Sequence, residues 1–384
     1  MLYSPADLVG LKSAYGEDNE KVVQRYLRKP LLFNGLKHDL RLYLLIANVD
    51  PLVAFLNEEG LARFCTTPYE MPTHETKNTD KNVHLTNFSL NKASPNFKHT
   101  DELLEENEGS KQTLSSYWKA LEKRGMDVKK IKSEIIKLNQ NLLKSMKPFL
   151  MYFQKCIFPR SEPGKYFHVI GVDIILDSKC HPWILEINSS PSLSIDSTIK
   201  QEMSSNPMIV TNNPLKHKLN ESKSKYTVSN VDLHVKSMAL GHAVKLCKKS
   251  VDKIEDYEEY DSYTQIYGPD VEEELFAENS VYDHIYNLFV DLSGPRFFPA
   301  LTPVKFCRIS KVLKDVGTKT LNKVELEICF KKTLEHHEQM DFYAFIDCIE
   351  LLCSKIYPPE TPLREAMEGI CKNYSSMKKP LFYF

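Results

Sequence analysis

The sequence predicts an α+β protein in which an antiparallel sheet with flanking helices is followed by a small all-helical C-terminal module. Two observations place the sheet in the first half of the chain: short strand-like runs separated by turn residues between positions 21 and 65, and two apolar runs around a polar turn between positions 169 and 187. A third observation places helices at the end, because apolar residues recur at helical spacing from position 281 onward.

The composition is that of a globular protein with nearly balanced charge. The 384 residues are 42% hydrophobic and 10% aromatic, enough to build one large or two moderate domains. A formal net charge of −1 points to neither nucleic acid nor a membrane surface, and no apolar run predicts a transmembrane helix. Nine cysteines occur without a CxxC pair, and the first residues lack a basic-then-apolar leader. We therefore expect reduced thiols in a cytosolic protein.

The first strands are predicted from Lys21 to Leu27 and on both sides of Asn34-Gly35, a two-residue hairpin turn. Pro30 is expected to end strand pairing between them, because proline has no amide hydrogen to donate.

After this turn, charged residues alternate with apolar ones along one strand. A period of two places Lys37, Asp39 and Arg41 on one face. Such a charged row is either a solvated sheet face or a site in which Lys37 and Arg41 bind phosphate while Asp39 orients them. From this strand alone the two interpretations are equally good.

Two further segments carry polar candidates. Pro51 to Cys65 is predicted to be a strand pair around a turn at Glu58-Glu59-Gly60, with Arg63 on its second arm. His84 to Lys92 carries small polar groups that could reach ribose or phosphate, although many loops share this pattern: Thr86, Asn87 and Asn91.

Between Leu114 and Phe153, apolar residues at helical spacing predict two helices broken near Gly125. Their polar faces are rich in basic residues, which are either simply solvated or suited to an acidic protein partner: Lys119, Lys123, Arg124, Lys129, Lys130, Lys132 and Lys137.

Two apolar strands joined by the turn Asp177–Pro182 each carry acidic or amide side chains. Asp173 interrupts the first strand, and Glu186 and Asn188 share one face of the second. A hairpin would place Asp173 beside Glu186, so that three hard oxygen ligands converge, as Mg²⁺ prefers. The simpler interpretation is a turn-capping aspartate and a strand-end glutamate. Three such groups on strands this apolar favour the metal site, because an unpaired buried carboxylate is costly.

The remaining chain predicts a linker and a helical module. Residues 198–229 are polar, a helix is expected from Asn230 to Lys248, and residues 252–278 are acidic. Four helices then follow in two helix–loop–helix pairs like paired EF-hands, at Val281–Leu292, Thr302–Val316, Lys323–Leu334 and Phe342–Ile356. Neither Asp315–Thr320 nor His336–Gln339 has the spaced acids of a calcium loop. The predicted division is therefore 1–210, a 211–279 linker with a helix, and 280–384, an EF-hand-like module without calcium loops.

Four motifs in one order carry a family resemblance: VVQRYLRKPLLFNGLKHDLRLYLLI, RFCTTPYE, HLTNFSLNK and GVDIILD…WILEINSSPSL. Over roughly residues 20–197 this series closely resembles the tubulin–tyrosine ligase-like family, an ATP-grasp fold. The resemblance implies an ATP-grasp-type sheet, and makes residues 1–210 a partial ATP-grasp domain.

The resemblance also implies a role for each matching residue. The adenine-contacting segment would be Gln24, Arg25, Tyr26 and Leu27. The row Lys37, Asp39 and Arg41 would bind phosphates and substrate, and Arg63 would position an acyl-phosphate or the γ-phosphate. Nucleotide contacts would come from Thr86 and Asn87, and the magnesium ligands would be Asp173, Glu186 and Asn188.

Family members use ATP and Mg²⁺ to activate a carboxylate and join it to an amine through an acyl-phosphate. The family includes tyrosine ligases, glycylases and glutamylases, and EINSSPSLSID is most similar to the glutamylase branch. The resemblance therefore implies a tubulin polyglutamylase that joins glutamate to the acidic C-terminal tails of tubulin. Microtubules would be its partner, and the cytoplasm, the cytoskeleton and a cilium, flagellum or basal body its location.

One departure from the family pattern keeps two alternatives open. About two dozen residues precede Val22, and Gly10 and Gly16 are isolated, so the Gly-rich nucleotide-binding loop of ATP-grasp enzymes is missing. The chain is expected to be short at its N-terminus. A catalytically impaired form acting as a microtubule- or cilium-associated binding protein is one alternative, and a ligase for a non-tubulin substrate is the other.

Overall fold

The computed structural model describes residues 24–72, 80–100, 103, 109–157, 166–199, 225–250, 262–268, 281–294, 300–334 and 339–377. The described strands are β1 Leu32–Phe33, β2 Leu36–Val49, β3 Leu52–Asn57, β4 Leu61–Phe64, β5 Lys111–Thr113, β6 His168–Leu176, β7 Pro182–Asn188, β8 Asp196–Ile199, β9 Lys225–Val228 and β10 Tyr263–Tyr267. Eight of them form one antiparallel sheet, and β8 pairs only with β9. Together with the helices, this confirms the predicted α+β class.

The α-helices in the described residues are α1 Lys81–His84, α2 Phe88–Asn91, α3 Leu114–Lys123, α4 Val128–Ile157, α5 Asn230–Ser250, α6 Val281–Ser293, α7 Pro303–Phe306, α8 Lys323–Thr333, α9 Phe342–Ile356 and α10 Leu363–Ser376. None of these helices has both the length and the apolar character needed to cross a membrane.

The chain divides into two compact units. The first comprises Met1–Leu44, Asn57–Ile135 and Val169–His242, and the second comprises Leu45–Leu56, Ile136–His168 and Ala243–Phe384. The predicted division at residues 210 and 279 stays a prediction.

In the first unit, β1 and β2 form the predicted hairpin. Asn34 and Gly35 have φ values of 52° and 76°, which match a turn whose two central residues are both left-handed. Phe33 then lies opposite Leu36, and Leu32 opposite Lys37. The predicted strand at Lys21–Leu27 is wrong for its described part, because residues 24–27 are irregular, and residues 21–23 lie outside the described residues.

Strand β2 is the centre of the sheet and corrects one prediction. β3 and β4 do not pair with each other around the Glu58–Gly60 turn, because β2 lies between them in the strand order. With 14 residues, β2 is long enough to pair with several strands. The turn needs Gly60, since a Cβ there would lie 2.5 Å from the carbonyl oxygen of Arg41.

The β6–β7 hairpin is confirmed. Its register places Asp173 opposite Glu186 and Gly171 opposite Asn188. The turn-capping aspartate is Asp177, whose Oδ1 accepts hydrogen bonds from the amides of Lys179 (2.8 Å) and His181 (3.0 Å). Asp173 is therefore not needed for the turn.

Helices α3 and α4 are separated at Gly125, which has a φ of +77°, as the sequence predicts. The basic residues predicted on their polar faces are all exposed: Lys119, Lys123, Arg124, Lys129, Lys130, Lys132 and Lys137.

The second unit has a helical core rich in phenylalanine. Five phenylalanines are completely or almost completely buried there: Phe289, Phe306, Phe330, Phe342 and Phe345. Asp341 caps the N-terminus of α9, because its side chain accepts from the amide of Ala344, and a reciprocal capping box between Asn322 and Glu325 caps α8.

The C-terminal helices differ from the prediction in two places. The helix predicted at Thr302–Val316 is only α7 followed by a 3₁₀ turn at Cys307–Lys311, and α10 was not predicted. Leu301, which lies just before α7, pairs with Met340, which lies just before α9, through two 2.9 Å backbone hydrogen bonds. Asp315–Thr320 instead connects the two helix–loop–helix segments. The EF-hand-like assignment stays a prediction.

Candidate functional site

The charged row on β2 is buried. Lys37, Asp39 and Arg41 are 7%, 2% and 9% exposed. The interpretation of this row as a solvated sheet face is therefore wrong. Charged groups at this depth must find partners, because removing them from water is costly.

Asp39 pairs with Arg63, its cross-strand partner on β4. Arg63 Nε donates to Asp39 Oδ1 at 2.9 Å, and a second guanidinium nitrogen donates to Oδ2. Burial alone would lower the pKa of Arg63, but Asp39 and Asp173 raise it overall, so the guanidinium stays charged. Asp39 was predicted to contact and orient Lys37 and Arg41. This contact is wrong, because the bidentate partner of Asp39 is Arg63.

Asp173 joins two arginines. Its Oδ2 lies 2.8 Å from Arg41 Nη2 and 2.7 Å from Arg63 Nη2, and its Oδ1 accepts from Arg41 Nε. Burial would raise the pKa of Asp173, but the two guanidinium groups lower it below its ordinary value. Gly171 leaves room for this contact, since a Cβ there would lie 3.2 Å from Arg41 Cδ.

Glu186 and Asn188 lie on β7 beside this network. Glu186 is exposed, Asn188 is half-buried, and Asn188 Nδ2 donates to Glu186 Oε1 at 3.2 Å. No three His, Cys, Asp or Glu side chains cluster around a metal position within the described ranges. The predicted ligands are two carboxylates and an amide, which are the hard oxygen donors that fit Mg²⁺. This assignment stays a prediction.

The predicted adenine segment lies next to Lys37. Gln24 Nε2 donates to the carbonyl of Leu185 on β7 at 3.4 Å, and Tyr26 Oη is 3.0 Å from His84 Nδ1. Lys37 Nζ donates to the carbonyl of His84 at 2.7 Å and to Tyr26 Oη at 3.3 Å. Burial lowers the pKa of Lys37, although Cys65 and Asp39 act in the opposite direction.

The other predicted contacts lie in different surroundings. Arg25 and Asn87 are exposed, Leu27 is half-buried, and Thr86 is buried beside a crevice that Arg63 also lines.

Asn91 is not available for a ligand. Its Oδ1 accepts from the amide and hydroxyl of Thr66, and its Nδ2 donates to the carbonyls of Leu85 and Asn87. Its role is to hold the loop together.

Sequence reasoning missed one charged cluster. Lys111 on β5 lies opposite Arg63, and its Nζ contacts Asp232, which Lys236 Nζ also contacts at 2.8 Å. The spacing of Asp232 and Lys236, one helical turn apart, was the available signal. Lys111 could not be linked to them, because it is 121 residues from Asp232.

The motifs of the site agree with a family model. The model of the tubulin-tyrosine ligase family matches residues 8–221, more than half of the chain. The chain belongs to the tubulin-tyrosine ligase family. This family is ATP-grasp-like and typically uses ATP.

Several curated relatives are named polyglutamylases. Tubulin polyglutamylase TTLL11 of Mus musculus is 41% identical over 176 residues, which cover 46% of this chain and 24% of that protein. The probable beta-tubulin polyglutamylase of Tetrahymena thermophila is 40% identical over 186 residues, 48% of this chain and 16% of that protein. Tubulin polyglutamylase ttll6 of Danio rerio is 38% identical over 183 residues, 47% of this chain and 23% of that protein. The chain thus spans a quarter or less of the length of these relatives.

Proposed function

We propose that this chain is an ATP-dependent ligase that joins glutamate to glutamate side chains of tubulin tails, or a part of such a polyglutamylase. The observation that carries the proposal is the buried network of Asp39, Arg63, Asp173 and Arg41 beside the exposed Glu186. Together with the relatives named as polyglutamylases, it supports phosphoryl chemistry on an acidic protein substrate.

The proposed reaction has two steps. A tail carboxylate attacks the γ-phosphate of ATP, which gives an acyl-phosphate and releases ADP. The amine of the incoming glutamate then attacks the acyl carbon, and phosphate leaves. Both steps place negative charge on phosphoryl oxygens, which fixed cationic groups stabilise best where water is excluded.

Three cationic side chains would supply this stabilisation. Lys37 and Arg41 lie on one face of β2, and Arg63 is held by two carboxylates, so its orientation is set before the substrate binds. Asp173, Glu186 and Asn188 would hold Mg²⁺, which would neutralise charge on the nucleotide phosphates. The segment from Gln24 to Leu27, which includes Arg25 and Tyr26, would contact adenine, and Thr86 and Asn87 would contact the nucleotide.

The exposed basic faces of α3 and α4 support an acidic partner. Their lysines would attract the acidic C-terminal tails of tubulin by long-range charge interactions. This partner implies a location on microtubules, in the cytoplasm or in a cilium, flagellum or basal body.

Calorimetric titration of the full chain with ATP and Mg²⁺ tests the nucleotide site. We expect saturable binding that Glu186→Gln weakens, because the substitution removes the charge of an exposed metal ligand. Glu122→Gln on the exposed side of α3 is the matched control and should bind like the unaltered chain.

Incorporation of labelled glutamate then tests the substrate. Incorporation into tubulin supports the polyglutamylase, and incorporation into other proteins only would favour a ligase with a different substrate. If a folded chain neither binds ATP nor incorporates glutamate but still binds microtubules, it is a microtubule-binding protein, which the basic faces of α3 and α4 would explain.

A further inference from the structure

His84 lies between Lys37 and the predicted adenine segment in the first unit. It is the last residue of α1, and its side chain is buried, with 6% of the residue exposed. The backbone carbonyl of His84 accepts a hydrogen bond from Lys37 Nζ at 2.7 Å, and its Nδ1 is hydrogen-bonded to Tyr26 Oη at 3.0 Å. His84 therefore contacts two groups that the proposed function assigns to ATP.

Lys37, Tyr26 and His84 form a closed arrangement. Lys37 Nζ also donates to Tyr26 Oη at 3.3 Å, and it lies 4.7 Å from the centre of the Tyr26 ring. An ammonium group has three N–H donors and no acceptor. Among the described residues, the His84 carbonyl and Tyr26 Oη take two of these donors. Because the three N–H bonds are arranged tetrahedrally, fixing two of them also fixes the direction of the third, which remains for the nucleotide.

The imidazole ring of His84 also packs between two tyrosines that hold the adenine segment. Its centroid lies 5.8 Å from that of Tyr26 and 5.9 Å from that of Tyr69, and both contacts are edge-to-face. Tyr69 Oη donates to the carbonyl of Arg28, directly after the segment, at 2.8 Å. Residues 24–27 belong to no strand or helix, so regular backbone pairing does not fix their position. Side-chain contacts of this kind hold them instead.

Packing alone does not explain a histidine at this position. Its Nε2 is buried and has no hydrogen-bond partner among the described residues, which lowers stability. Burial and the charge of Lys37 lower the pKa of His84, although Asp80 and Glu70 act in the opposite direction, so the ring stays neutral beside the ammonium group. A phenyl ring would fill the same space without an unpaired nitrogen. It would lose only the hydrogen bond between Nδ1 and Tyr26.

We propose that His84 is a positioning residue for the nucleotide, because it holds Tyr26 through Nδ1 and thereby fixes both the adenine segment and the Lys37 ammonium group. The proposal rests on the proposed ligase function and adds a residue to its nucleotide site. His84 acts through Tyr26 and Lys37 and needs no contact of its own with ATP.

Two substitutions of His84 separate the hydrogen bond from the ring. His84→Phe keeps an aromatic ring between the tyrosines and removes Nδ1, whereas His84→Asn places an amide near the position of Nδ1 and removes the ring. The carbonyl contact with Lys37 remains in both variants. Tyr26→Phe removes the hydroxyl at the other end of the bond, and His99→Phe, at an exposed histidine of the same unit, is the matched control. Each full-length variant is titrated calorimetrically with ATP plus Mg²⁺ and, separately, unfolded in urea.

We expect His84→Phe to bind ATP about 3- to 10-fold more weakly, as for the loss of one hydrogen bond, with an unchanged or higher urea midpoint. His84→Asn should keep its ATP affinity within about 2-fold but unfold at a lower urea concentration, because the ring contacts are lost. Tyr26→Phe should lose at least as much affinity as His84→Phe, since its hydroxyl also binds Lys37. Adding His84→Phe to it should weaken binding no further, because both changes remove the same bond. His99→Phe should behave like the unaltered chain.

A purely structural role of His84 would give the opposite order, with ATP affinity falling only where the urea midpoint falls. That result would overturn the proposal, and so would an equal loss of affinity in His99→Phe. If the unaltered chain binds ATP and His84→Phe binds it equally well, the role of His84 is wrong and the proposed function stands. If the folded, unaltered chain binds no ATP, the proposed function is wrong, and the role of His84 with it.

Discussion

Replacing Arg63 by methionine should destabilise the first unit more than any other single change in the buried network. The substitution removes the bidentate partner of Asp39 and one of the two cationic partners of Asp173. Asp39 would then be an almost completely buried carboxylate without its cation. Breaking a buried ion pair in this way costs about 3–5 kcal/mol of unfolding free energy.

Substituting Asp39 alone and together with Arg63 shows whether the lost free energy of unfolding comes from the ion pair or only from side-chain packing. Asp39→Asn should cost less, about 1–3 kcal/mol, because Arg63 keeps its bond to Asp173. The double variant should be more stable than the sum of the single effects by about 1–3 kcal/mol, since no unpaired charge is left behind. Arg124→Met removes an exposed arginine that stacks on Phe33, and as a control should cost about 1 kcal/mol or less.

Urea unfolding followed by tryptophan fluorescence measures these differences. The only two tryptophans, Trp118 and Trp183, both lie in the first unit, so the signal reports on that unit. A loss of less than about 1 kcal/mol of unfolding free energy for Arg63→Met would show that Asp39 does not depend on this partner, and strict additivity in the double variant would show the same.

Four further predictions concern single features. The free energy of unfolding should fall by about 3 kcal/mol between pH 6.5 and 4, because burial lowers the pKa of His38 to about 4 and the folded state therefore resists its protonation. Urea unfolding at several pH values should show that His38→Gln loses this pH dependence. If the pH dependence is unchanged in the variant, groups other than His38 cause it. Gly171→Ala should displace Arg41 and lower the free energy of unfolding by about 1–3 kcal/mol. Urea unfolding measures this difference, and an unchanged free energy would contradict the prediction. Phe345→Ala should lower the free energy of unfolding of the second unit by about 3–5 kcal/mol, because it leaves a cavity in the helical core. The helical circular dichroism should then be lost at a lower urea concentration, and an unchanged urea midpoint would contradict this prediction. Replacing the exposed lysines of α3 and α4 by glutamine should reduce co-sedimentation with microtubules, and undiminished binding would refute their role: Lys119, Lys123, Lys129, Lys130, Lys132 and Lys137.

Local patterns in the sequence predicted most of the elements. Asn34-Gly35 indicated its hairpin because both residues tolerate left-handed backbone, and Gly125 indicated the break between α3 and α4. The apolar runs around Asp177 predicted the β6–β7 hairpin, and with it the placement of Asp173 opposite Glu186. These features depend on residues close in sequence, so their physical causes can be read there.

The order of the strands in the sheet could not be predicted from local patterns. The runs at 52–57 and 61–64 were expected to pair with each other, because they are neighbours in the sequence. Each instead lies beside β2, since a 14-residue strand offers enough hydrogen-bonding edge for several partners. Pairing is decided by competition among all strands, which a local pattern does not contain.

The alternation of residues along one strand is enough to place Lys37, Asp39 and Arg41 on one face, and a hairpin pattern is enough to let Asp173, Glu186 and Asn188 converge. The burial of this face, the binding of Asp39 to Arg63, and the contact of Lys111 with Asp232, 121 residues away, depend on how distant segments pack together. The physical reason is that the side-chain period along a strand is set by local backbone geometry, whereas burial and charge pairing depend on which distant segments cover that face.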